Sequence, residues 1–327
     1  MSVAPTASSP SRIPIRPSAV ADDPRTEPGA VEAEWLEADG RGGYACLTTS
    51  WTPRRRYHGL LVAVPDGTVK RHLFLAGLLD RVITPVGETT LTRLRREGDP
   101  PVPDASWLGD VDDVPWHRAR LDVEGARLVR EVLMPAGRRA VLVRYRVASE
   151  APVELVLEPL LACREADALT RENLELDPRV ERRTDGIACR PYTSLPALCF
   201  RLGGGTWSFE ADPLWYRGIE YQEELLRGYD GHEDQFTPGW FALRVPRGGS
   251  IVVGVDIGHD AYDPVAAWDE ATTARRKSAR RAMGSPQLRR HLEVAADAYL
   301  ATTPGGRTGV VAGYPWFQEW GRDTCIS

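Results

Sequence analysis

At 327 residues, with 42% hydrophobic and 27% charged residues, the chain is long enough for one large β domain or two smaller ones and has the make-up of an ordinary soluble globular protein. Its net charge of -5, with Lys70 and Lys277 the only lysines, offers no basic field for nucleic acid. No apolar run reaches the roughly 18 residues of a membrane span, and the N-terminus has no apolar signal core, so neither a membrane partner nor secretion is expected.

In chain order, residues 1–30 are rich in Pro, Ser, Ala and Asp and too poor in apolar side chains to offset ordering entropy, so a disordered leader is expected there. Order should start near Glu34-Trp35-Leu36. The glycines of Asp39-Gly40-Arg41-Gly42-Gly43-Tyr44 fit neither phosphate-loop spacing and read as a tight turn. Arg54-Arg55-Arg56 leads straight into the apolar run Leu60-Leu61-Val62, so at least one guanidinium should meet a carboxylate or a sugar hydroxyl.

From there to about residue 260 the pattern is that of short strands. Residues 140–147 alternate, with Val141, Val143, Tyr145 and Val147 on one face and arginines on the other, and Pro135-Ala136-Gly137 joins them to the run 128–134 as a hairpin. Further strands are expected at 153–157, 197–202, 207–209, 241–245 and 251–255. Many short strands separated by Gly/Pro turns predict an antiparallel β-sandwich over 31–262 rather than a βαβ fold. Trp107, Asp112, Asp113 and Trp116 form an acidic-aromatic cluster with no assignable role. The stretch 215–241, long, aromatic and acidic, has the look of a binding loop on a β scaffold or of a cover for one open face. Five cysteines (Cys46, Cys163, Cys189, Cys199, Cys325) are scattered and lack a CxxC pair, which predicts no disulfide framework, no zinc site and a reducing, cytoplasmic setting.

A helical linker is expected over 263–304. Its first helix, 264–283, is Arg-rich and anchored by Trp268. The second is capped by Ser285 and Pro286, with Leu288, Leu292, Ala295, Ala296, Tyr299 and Leu300 as one buried stripe. Pro304-Gly305-Gly306 ends it. The last segment, Gly313-Tyr314-Pro315-Trp316-Phe317-Gln318-Glu319-Trp320-Gly321-Arg322-Asp323-Thr324, sets aromatic rings beside acids and an arginine between glycines and a proline that imply irregular backbone. Rings stack on the apolar face of a pyranose while carboxylate and guanidinium bond its hydroxyls; a loop plugging a core is the competing use of the same residues.

The order of residues in this last segment resembles the stretch that opens the (α/α)6-barrel domain of bacterial and archaeal-type glycogen debranching enzymes, and more loosely the Trp-x-Arg-Asp stretch of glucoamylases. Glu34-Trp35-Leu36, the Gly42-Gly43-Tyr44 turn, Arg55-Arg56-Tyr57-His58-Gly59-Leu60-Leu61 and Phe236-Thr237-Pro238-Gly239-Trp240-Phe241 are similar to the same family's N-terminal domain, in the same order. The resemblance implies a mainly β chain: an antiparallel β-sandwich (supersandwich), linker helices, and over 305–327 the truncated start of the barrel. It implies an amylo-α-1,6-glucosidase acting on glycogen or another branched α-glucan, an inverting hydrolase with no cofactor and no metal. Its two carboxylates are expected beyond Ser327, so no catalytic residue is assigned here and the chain alone is expected to be inactive. Carried over by motif, Trp316, Trp320, Arg322 and Asp323 are expected to bind the terminal glucose, with the setting of Glu319 open. A glucoamylase- or trehalase-like exo-glycosidase and a non-catalytic carbohydrate-binding sandwich are the alternatives.

Overall fold

Apolar residues at every second position oblige a strand to bury one face, and this chain repeats the pattern often enough to close two sheets on each other. The computed structural model describes residues 33–99, 105–149, 152–258, 261–281, 287–302 and 306–326; the expected leader, the Ser285-Pro286 cap, Met283 and Pro304-Gly305 lie outside them. The elements below belong to one unit, Glu34–Ser327.

The strands in chain order are β1 (Glu34–Ala38), β2 (Tyr44–Thr48), β3 (Gly59–Ala63), β4 (His72–Thr84), β5 (Gly87–Thr90), β6 (Leu108–Asp112), β7 (His117–Val123), β8 (Ala126–Leu133), β9 (Ala140–Val147), β10 (Val153–Glu165), β11 (Val180–Arg183), β12 (Gly186–Cys189), β13 (Leu198–Gly203), β14 (Thr206–Glu220), β15 (His232–Val245) and β16 (Ser250–Asp256). One sheet runs β1-β2-β3-β4-β10-β15-β14, with β5 on β4, and the other runs β11-β12-β13-β16-β9-β8-β7-β6. Their pairings are antiparallel, as in the hairpin β8–β9 that sets Leu128 against Val147 and Leu133 against Leu142. Val141, Val143, Tyr145 and Val147 of β9 face inward, against Val153, Leu155 and Leu157 of β10 and Phe241 and Leu243 of β15. The protein is a mainly β, antiparallel sandwich with that apolar layer as its core.

Each outward face is covered in part. On the second sheet lies α2 (Pro264–Arg281), which follows α1 (Gln222–Leu226) in the chain. Trp268 of α2 is 1% exposed, edge-on to Trp116 at 6.2 Å, among Leu133, Leu142 and Val252. Burying that indole contributes roughly 2–3 kcal/mol, the anchor that an otherwise polar helix needs. This gives Trp116 a packing role that the sequence left open, while its neighbour Asp113 bonds His117 Nδ1 at 2.7 Å. On the first sheet, Leu160 and Ala162 of β10 turn away from the core and pack with Tyr44, Val62, Leu73, Ala301, Val311 and Tyr314. The last three belong to a small sheet or its turn: β17 (Leu300–Thr302), β18 (Thr308–Gly313) and β19 (Phe317–Glu319), followed by α4 (Gly321–Ile326).

Two expectations change. The stretch 215–241 is not a long loop: β14 and β15 pair from Thr206↔Arg244 to Glu220↔His232, and only α1 and its turns join them. Two register shifts, between Ala211 and Leu214 and between Tyr216 and Ile219, break the alternation that would have revealed the strand. Of the stripe expected on α3 (Gln287–Ala298), the side chain of Leu288 lies outside the described residues, Leu292 is 61% exposed, Ala295, Ala296 and Leu300 face solvent, and Leu300 has already left the helix for β17. Ala298 and Tyr299 pack against the small sheet. Among the described residues no helix is long and apolar enough to cross a membrane.

Candidate functional site

The aromatic segment, expected as irregular backbone, is a tight hairpin: β18 and β19 pair Val311 with Glu319 and Gly313 with Phe317, and the turn runs through Tyr314, Pro315 and Trp316. Tyr314 points down, 7% exposed, with its ring 5.6 Å from Tyr44 and 5.7 Å from Tyr299. Beside it the guanidinium of Arg71, at the foot of β4, lies 4.8 Å from the Tyr314 ring and 5.4 Å from the Tyr44 ring. Arg71 donates from Nη1 to the carbonyls of Pro315 (3.2 Å) and Phe317 (2.9 Å), and from Nε to that of Gly42 (2.7 Å). Burial lowers its pKa, and the ring faces and carbonyl oxygens compensate the buried cation. Gly42 lies in the turn after β1, where Asp39 Oδ1 accepts from the N–H groups of Arg41 (2.6 Å) and Gly43 (2.8 Å). A Cβ on Gly43 would stand 2.4 Å from Asp39 Oδ2 and 2.6 Å from the Val62 carbonyl, so this turn requires glycine. One arginine therefore straps the aromatic hairpin to the glycine turn of the sandwich. Nothing in the pattern around Lys70-Arg71-His72 marked it, because a strap is defined by its distant partners.

The rings past the turn point outward. Trp316, Phe317 and Trp320 are 43%, 50% and 48% exposed, whereas Trp51, Trp116 and Trp268 are almost fully buried. Phe317 and Trp320 stand edge to face at 5.8 Å, and the guanidinium of the exposed Arg322 lies 5.8 Å from the Trp320 ring. Asp323 is half-buried in the first turn of α4. Thr324 ties that helix back, accepting from the N–H of Val310 at 3.1 Å and donating to the Trp320 carbonyl at 3.2 Å. Glu319 is taken up by both Nη groups of Arg307, whose bonds hold its carboxyl below the usual range. The result is an exposed platform of three rings, two of them edge to face, with a cation beside Trp320.

The arginine loop between β2 and β3 meets carboxylates at all three positions. Arg54 pairs with Glu223 at 2.9 Å, Arg55 with Glu34 at 2.8 Å and Arg56 with Glu224 at 3.3 Å. The loop is held from below by Arg164, which donates to the Arg56 carbonyl at 2.8 Å and is clamped by Glu233. Glu233 is fully buried and also accepts from Tyr221 and from the Thr170 N–H. Arg55 reaches further, to 5.6 Å from the centre of the Trp316 ring.

Among the described residues, one set of ligand atoms comes close enough for a metal: those of Glu34, Cys46 and His58, within 4.8 Å of one another. The donors do not suit an ion. His58 Nδ1 accepts from the Arg54 N–H at 3.1 Å, so Nε2, 3.3 Å from Glu34 Oε1, is the nitrogen that bears a proton. Burial pushes the Cys46 thiol far up, and Glu34 is already bonded to Arg55. A cavity of about 470 Å³ opens elsewhere, between Arg41, Arg138, Arg139 and Asp256; no aromatic residue lines it, so it offers a pyranose no stacking face.

The family model "Glycogen debranching enzyme N terminal" matches residues 33–252, and the model "Amylo-alpha-1,6-glucosidase" matches residues 294–327. No curated protein matches the chain. Among solved structures, a bacterial glucoamylase complexed with acarbose is 8% identical, with a TM-score of 0.38, over 85% of this chain and 40% of its own. A putative kojibiose phosphorylase from the human microbiome is 9% identical, with a TM-score of 0.31, over 79% of this chain and 34% of its own. The chain thus spans less than half the length of either. With the first model running from the start of β1 into β16, more than half of the sequence, the chain belongs to the glycogen debranching enzyme N-terminal family.

Proposed function

We propose that this chain is the substrate-receiving part of a glycoside hydrolase that removes α-1,6-linked glucose at the branch points of glycogen or a similar α-glucan. The observation that carries the reading is the exposed platform of Trp316, Phe317 and Trp320, with Arg322 over one ring and Asp323 one residue on. In this reading Trp316 and Trp320 stack on the apolar face of the terminal glucose, and Arg322 and Asp323 bond its hydroxyls. Inverting hydrolysis needs a carboxylic acid at the leaving oxygen and a carboxylate activating water across the ring. Glu319, held by both Nη groups of Arg307, is given neither role.

The test is calorimetric titration with panose, the trisaccharide that carries one α-1,6-linked glucose. Replacing a carboxylate that bonds sugar hydroxyls forfeits about 1.5–3 kcal/mol, so Asp323→Asn should weaken panose binding roughly ten- to a hundredfold while Tm stays within a few degrees. Unchanged affinity with a lowered Tm would make Asp323 a structural acid of the first turn of α4 and remove it from the sugar site.

A further inference from the structure

The arginine loop of the sandwich comes within reach of the platform at one point. Arg55 lies 5.6 Å from the centre of the Trp316 ring, and its own position is fixed twice: Nε donates to Glu34 Oε1 at 2.8 Å, and Nη2 lies 3.8 Å from Glu223 Oε2. Glu34 is fixed in turn by His58, whose ring is fully buried and held from its far side by the Arg54 N–H. The Arg55 side chain is only 18% exposed, whereas the ring it approaches is 43% exposed. The cation is therefore largely shielded and the indole largely open. Burial works against the charge on Glu34, but His58 and Arg55 hold its pKa at about 2, so it remains a carboxylate through the neutral range.

We propose that Arg55 is a positioning residue of the sugar site. It holds the Trp316 ring in place from the sandwich side, so that the open part of the indole is presented to a pyranose, and the loop between β2 and β3 becomes one wall of the site. The proposal rests on the sugar-binding reading above. Its physical basis is that an indole in a turn has two free torsions, and a guanidinium held by carboxylates on a separate element removes that freedom before the sugar arrives. Arg54 and Arg56 point elsewhere: Arg54 pairs with Glu223, and Arg56 reaches Glu224, the carbonyls of 167 and 230 and the Tyr229 ring.

The test uses the 327-residue protein labelled with 5-fluorotryptophan, the Trp316 resonance being identified by Trp316→Phe. Arg55→Met should move that resonance, leave the other fluoroindoles in place, and weaken panose binding about three- to tenfold, in keeping with the usual worth of a cation–π contact. Arg55→Lys should restore part of the affinity. Glu34→Gln should move the same resonance by freeing Arg55, which keeps the idea testable if Arg55→Met misfolds. If the wild type binds panose and Arg55→Met binds it equally well, or the Trp316 resonance does not move, Arg55 is not a positioning residue and the sugar site stands without it. If the wild type binds no panose, the sugar-binding reading falls and takes this inference with it.

Discussion

Individual side chains in this protein are legible in proportion to how local their partners are. Glu37 shows the limit. In sequence it is one more acid in β1, but in the fold it is 4% exposed, accepting from the His117 N–H at 3.3 Å and from Arg275 Nη2 at 2.9 Å. Burial raises its pKa to about 7 despite the Arg275 charge. A carboxyl that titrates near 7 when folded and near 4.5 when unfolded stabilises the fold below about 4.5 and loses that contribution as pH rises through 7. The shift sets an upper bound on the order of 3 kcal/mol. Urea unfolding of the wild type between pH 4.5 and 7.5 should therefore show a falling contribution that Glu37→Gln lacks; parallel stability curves would mean that Glu37 is solvated. Glu34 does not blur this window, because its pKa of about 2 moves its effect to strong acid.

Among the elements, strands with strict alternation were readable from the sequence, whereas bulged strands were readable only on one side of their register shifts, as at 153–157 of β10 and 207–209 of β14. β9 is the first kind: four inward residues at every second position leave no other solution. β14 is the second, since its shifts turn the alternation into what looks like an aromatic loop. The aromatic hairpin could be picked out by its rings and acids, but not its attachment, because Arg71 lies more than two hundred residues from the hairpin carbonyls it holds. That attachment makes a prediction for the element alone. Arg71→Met should leave the sandwich folded, with little change in Tm, yet lower the hydrogen-exchange protection of the amides in β18 and β19 at least about tenfold, the equivalent of roughly 1.4 kcal/mol of local stability. Protection unchanged in these strands would show that Tyr314 packing alone fixes the hairpin.

The unit Glu34–Ser327 is layered: α2, a sheet, the apolar core, a second sheet, and the small sheet that carries the platform. The layering explains why one face of β10 is apolar toward the core while Leu160 and Ala162 on its other face are apolar as well. It also places the residues singled out by motif, Trp316, Trp320, Arg322 and Asp323, on one hairpin and the helix after it, with a sandwich loop alongside. The motif singled those residues out; the fold adds Phe317 beside Trp320 and Arg55 beside Trp316. The most direct test of sugar binding at the aromatic hairpin is a map of where panose binds, by amide and indole NMR of the 327-residue protein. Shifts should be confined to Trp316, Phe317, Trp320, Arg322, Asp323 and the 54–56 loop; shifts centred on the Arg41–Arg138 cavity, or none at the aromatic hairpin, would contradict binding there.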